Sequence, residues 1–135
     1  MKNNTLVPLD RSGRLLNKAM VYLSDMEAFL DDTPASITIL IDALPHADAS
    51  LKLKILPLLG AAGKDRVLWP LFHLVTTSAG DEAVCRLAAV QLGLAASLSE
   101  DPEALNTALI ENLNHAEATV RSACALALGW EGNHR

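Results

Sequence analysis

The chain has 135 residues, a formal charge of −5, 50% hydrophobic residues and 20% charged residues. One domain of this size buries roughly two-thirds of its unfolded surface, the apolar content excludes a disordered chain, and the acidic balance argues against a general nucleic-acid binder. Leu (25 positions) and Ala (21) far outnumber the five aromatics, which favours helices over strands.

Residues 1–11 read as a flexible arm and residues 12–135 as one domain. Arg11, Arg14, Asp25, Glu27 and Asp31 interrupt the first 31 positions, so no signal-peptide core is expected. The longest apolar stretches, near 37–41 and 55–59, are too short to span a bilayer, and a cytoplasmic location is the expectation. A capping helix is expected within 12–30, opened by Ser12 and carrying Leu15 on its buried face.

Thr33-Pro34 then opens a helix with Ile37, Leu40, Ile41 and Leu44 at helical spacing. A second helix runs over Asp48–Gly60, with Asp48 as its cap and Gly60 as its left-handed stop. Residues 65–77 form the next stripe through Val67, Leu68, Leu71, Phe72, Leu74 and Val75. Pro70 within that stripe and Pro57 before it predict bent or irregular helices. Asp81–Gly93 repeats the capped pattern. Asp101-Pro102 opens a stripe of Leu105, Leu109, Ile110 and Leu113, and Glu117–Gly129 closes the series, followed by Trp130.

Asp48–Gly60, Asp81–Gly93 and Glu117–Gly129 align without gaps, 33 and 36 residues apart, and Ser12 lies 36 residues before Asp48. Each copy has an acid, an apolar residue three positions later and a final Leu-Gly. Ion pairs on the helix surface are expected at Asp48–Lys52, Glu82–Arg86 and Glu117–Arg121. A repeat of this length is one helix pair that buries its apolar face only by stacking on its neighbours.

The pattern Asp/Glu-x-x-Val-Arg-x-x-Ala-x-x-x-Leu-Gly, clearest in Glu117–Gly129, resembles the HEAT repeat, in particular the short bacterial variety named after phycobilisome bilin-lyase repeats. Cys85 in the basic slot and Pro57 in the first inner helix depart from that pattern. The resemblance implies an all-α superhelix: a short right-handed α-solenoid of about three repeats, at 34–63, 65–97 and 101–132, after a half-repeat at 12–30. It also implies that the second helix of each pair lines a concave face.

Chemistry is sparse in this sequence. His46 and His115 occupy the same slot, two residues before an acid, and read as duplicated turn residues. The adjacent His-Glu pairs with which some HEAT-repeat hydroxylases hold di-iron are absent. Cys85 and Cys124 lack a Cys-x-x-Cys spacing and read as buried, reduced thiols. Gly60–Asp65 lacks the length and the Lys-Ser/Thr ending of a phosphate loop. Lys52, Lys54, Lys64 and Arg66 form the one dense basic cluster beyond the N-terminus and read as a solvated rim. No catalytic residue, metal ligand or cofactor site is expected, and neither nucleic acid nor membrane is an expected partner.

The expected function is therefore that of a non-enzymatic scaffold or adaptor for proteins, since stacked helix pairs present extended concave faces. Its contact residues are expected to be Lys52, Glu82, Arg86 and Arg121 early in the inner helices, together with Trp130 at the end of the stack. Trp130 either covers that apolar end or anchors self-association through it. The alternative implied by the resemblance is a bilin-lyase-like module that binds a tetrapyrrole or assists its attachment.

Overall fold

The computed structural model describes residues 10–134. Among them are eight α-helices and no strand: α1 (Arg11–Ser24), α2 (Met26–Asp31), α3 (Thr33–Ala43), α4 (Ala49–Ala62), α5 (Leu68–Thr77), α6 (Glu82–Leu98), α7 (Glu103–Glu111) and α8 (Ala118–His134). Short 3-10 turns at Leu44–His46, Lys64–Val67 and Asn112–Asn114 join α3 to α4, α4 to α5 and α7 to α8. None of these helices is long and apolar enough to cross a membrane.

Aspartates start five of the helices. The side chains of Asp10, Asp25, Asp32, Asp48 and Asp81 accept the amides of Gly13, Ala28, Ala35, Leu51 and Val84, giving partners to donors that the first turn leaves free. Asp48 and Asp81 act as the sequence predicts. The first helix does not start at Ser12: Asp10 caps it, and the Ser12 hydroxyl donates to the same carboxylate at 3.0 Å. The Gly13 amide, and then the Ser12 hydroxyl, hold the Asp10 carboxyl below its ordinary pKa. Arg11 therefore belongs to α1 and not to an arm; residues 1–9 of the expected arm lie outside the described residues.

The expected helix stops fail. Gly60, Gly93 and Gly129 all lie inside helices, and no described glycine has positive φ. Two of them serve close approach instead. A Cβ on Gly60 collides with the Gln91 side chain, and one on Gly93 stands 2.8 Å from Trp130 Cβ. The left-handed residue is Lys64, φ 54°, just past the end of α4.

The prolines disturb the helices less than their positions predict. α4 runs through Pro57, and Pro70 sits in the first turn of α5, where its missing N–H has no intrahelical partner to lose. The irregularity falls just before α5, in the 3-10 turn Lys64–Val67.

Packing follows from the apolar stripes. α6 packs against α4 on one side and most extensively against α8 on the other. Each of these three is backed by the helix before it, α3 on α4, α5 on α6 and α7 on α8, while α1 lies on α3. Small residues permit the α6–α8 approach: Ala88, Ala89, Ala96, Ala123 and Ala127 are fully buried. Larger side chains, among them Phe29, Leu40, Ile55, Leu59, Leu71, Leu92 and Leu109, fill one continuous core. Burying each such side chain contributes on the order of 1.5–3 kcal/mol. The helices α3, α5 and α7 barely meet one another, so the two sides of the array differ: close-packed along α4–α6–α8 and open between α3 and α5.

Candidate interaction surfaces

The five residues expected to contact partners do not form one surface. Glu82 and Arg86, one turn apart on α6, line a groove of about 390 Å³ whose far wall is Ser122 and Leu126 of α8. Both charged side chains are exposed. Lys52 lies elsewhere, half-buried in the first turn of α4, facing Thr77 and Ser78 at the end of α5.

Arg121 is occupied. Its Nη1 donates to the carbonyls of His115, at 2.8 Å, and Ala116, at 3.1 Å, clamping the turn before α8. Trp130 is half-buried, and the helix continues past it to His134. Its side chain rests against Gly93 of α6.

The surface ion pairs expected along the inner helices are not formed. Among the described residues the ion pair is Arg11–Asp42, at 3.5 Å, which ties the start of α1 to α3. Exposed pairs gain little in water and lose side-chain entropy, so helix spacing alone does not hold them together. The Glu117 amide donates to His115 Nδ1 at 3.0 Å, so His115 helps to start α8, in keeping with its reading as a turn residue.

The basic cluster of sequence is dispersed in space. Lys54 lies in a shallow groove with Leu16 and Met20 of α1, while Lys64 and Arg66 share a separate hollow with Pro34 and Glu100. Arg66 is a structural tie: Nη1 donates to the Pro34 carbonyl at 2.8 Å and Nη2 to the Thr38 hydroxyl, holding the 64–67 turn to α3.

Both cysteines are free and fully buried. The Cys85 thiol faces the Val75 carbonyl at 3.4 Å. Burial pushes its pKa up, reinforced by Asp81 and Glu82, and burial raises that of Cys124 to about 11. Neither is a thiolate at neutral pH, so neither is a poised nucleophile. Among the described residues, no group of three or more His, Cys, Asp or Glu is placed to hold a metal.

Two features have no sequence signal. Glu131, on α8, is buried at 5% exposure and accepts the Asn106 side-chain amide of α7 at 3.1 Å. The other is a cleft of about 760 Å³ in the opening between α3 and α5. Ile41, Leu44 and Leu74 give it an apolar floor; Trp69, His46, His73 and Lys52 stand around it. These residues are spread over some thirty positions, and only the divergence of the two helices brings them to one opening.

No protein-family model, curated protein or solved structure matches the chain.

Proposed function

We propose that the protein is a non-enzymatic interaction scaffold, built as a short right-handed α-solenoid of HEAT-like repeats, that binds other proteins along the α4–α6–α8 face. The observation that carries this reading is the asymmetry of the packing. Three second helices lie in one close-packed row, with glycines where neighbours press nearest, while the first helices stand apart. Such a stack curves toward its tighter side, and the row becomes the concave face that solenoids use for extended segments of partners. Along it, the Glu82–Arg86 groove offers one charge of each sign beside the apolar Leu126, a combination suited to an extended peptide.

Self-association through the ends is part of the same reading. Met20, Val21, Met26 and Leu30 are exposed on α1 and α2, and Ile110 and Leu113 are exposed at the α7 end. A repeat stack without polar caps leaves apolar surface of this kind for a second copy.

Affinity capture of tagged protein from its native host tests the reading, with Arg86→Glu and Lys54→Glu compared against the unaltered chain. A stoichiometric partner lost with Arg86→Glu and kept with Lys54→Glu supports it. A partner held equally by all three removes the binding site from this groove. Recovery of the chain with only its untagged copy assigns the surface to self-assembly.

A further inference from the structure

We propose that the cleft between α3 and α5 binds a small organic anion, an aromatic body carrying one carboxylate or similar acid group. The site is separate from the α4–α6–α8 face and stands or falls independently of it. Its volume, about 760 Å³, is within the range of small-molecule sites, roughly 300–1,000 Å³. Its lining has the composition of such sites, an apolar floor with a few polar groups at defined places.

The charge of the cleft selects the sign of the ligand. Arg11 and Asp42, both on its wall, neutralise each other at 3.5 Å. Lys52 is half-buried, and among the described residues its ammonium makes no ion pair or hydrogen bond. Asp81, near Lys52 on its other side, directs its carboxylate to the Val84 amide. An ammonium beside an apolar floor with no carboxylate paired to it offers a charge-assisted contact to an acid group placed in the cleft. The imidazoles of His46 and His73 add two further hydrogen-bonding groups to the same wall.

Trp69 selects the body of the ligand. The residue is 49% exposed, so the core does not account for its place. Phe72 holds it edge-on, ring centroids 5.6 Å apart and planes at 83°, so the indole is braced while much of it stays open. A planar aromatic ligand stacks there without the loss of rotamer freedom that a mobile side chain entails. The whole chain carries −5, so the preference for an anion is a property of this cleft and not of the overall surface.

The test is calorimetric titration with 2-naphthoate, with the uncharged 2-naphthamide as its isostere, on the whole chain and on Lys52→Gln, Trp69→Ala and Lys54→Gln. Saturable one-to-one binding of 2-naphthoate is expected, weakened about tenfold by Lys52→Gln, as follows from losing a charge-assisted contact. Trp69→Ala should weaken it by about the same factor, while Lys54→Gln should leave it unchanged. 2-Naphthamide should bind about tenfold more weakly than 2-naphthoate and be indifferent to Lys52→Gln. Absence of saturable binding up to about 10 mM overturns the proposal. So does 2-naphthoate binding that Lys52→Gln leaves untouched, which places the ligand elsewhere. Melting followed by circular dichroism verifies that the variants fold, and if Trp69→Ala does not, the contrast between Lys52→Gln and Lys54→Gln decides.

Discussion

Gly93 of α6 faces Trp130 of α8 with no space for a methyl group: a Cβ at Gly93 stands 2.8 Å from Trp130 Cβ and 2.9 Å from the Ala127 carbonyl. Neither neighbour is the free end of a flexible side chain, so the helices themselves must separate. Gly93→Ala should therefore destabilise the fold by about 1–2 kcal/mol, overpacking outweighing the better helix propensity of alanine. Gly129 ends the same Leu-Gly motif, but a Cβ there meets nothing within 4 Å. Gly129→Ala should stabilise by roughly 0.5–1 kcal/mol. Thermal melting of the two variants checks the pair; equal shifts would contradict the close-approach account.

Lys64 supplies a second contrast. It carries φ 54° directly after Gly63, whose own φ is −80°. An L side chain in the left-handed region is strained by roughly 1–2 kcal/mol, which glycine avoids at some loss of unfolded-state entropy. Lys64→Gly should accordingly raise the melting temperature, with a net gain of about 0.5 kcal/mol, whereas Lys64→Ala, which keeps the Cβ, should not. A higher melting temperature for the alanine variant alone would overturn this reading.

Arg121 and Glu117 are one helical turn apart, yet Arg121 binds the carbonyls of His115 and Ala116 instead. Arg121→Ala should lower stability by about 1 kcal/mol by releasing the turn that enters α8. Glu117→Gln should leave it within about 0.5 kcal/mol, because no ion pair is lost. Chemical denaturation of both variants measures the difference. Equal losses would restore the pairing expected from helix spacing.

Some helix starts were legible in the sequence, those at Asp48 and Asp81 but not the one at Asp10, and the helix ends were not. An aspartate before an apolar stripe has one common use, as at Asp48 and Asp81, which accept the Leu51 and Val84 amides. A glycine after such a stripe has two: it can turn the chain, or it can admit a neighbouring helix, and the choice depends on residues far along the sequence. Gly93 is needed because Trp130 lies 37 positions later. The same limit scattered the expected contact residues. Repeat alignment gives Lys52 and Arg86 closely similar places in their helices, but the divergence of α3 from α5 turns the first toward a cleft and leaves the second on the α6–α8 groove. Trp69 and His73 share one face of α5, but His46 lies in the turn after α3 and Lys52 on α4, so nothing in the sequence signalled that they meet at one cleft.

Cys124 should make the fold sensitive to alkali. Burial, with a smaller contribution from Cys85, raises its pKa from an ordinary value near 9.0 to about 11. The folded state thus holds a proton that the unfolded chain releases more easily. The stabilisation is fully present below about pH 9 and falls as pH rises toward about 11, by roughly 2 kcal/mol across that window. Cys85, shifted in the same direction, adds to the slope. Cys124→Ala removes one titrating group while keeping a small apolar side chain, so its stability should decline less steeply over the same range. Denaturation midpoints taken at intervals from pH 8 to 11 read the difference directly, since the two proteins differ only at this residue. Parallel curves for the two would mean that the Cys124 thiol titrates alike in the folded and unfolded chains, contrary to its burial between α6 and α8.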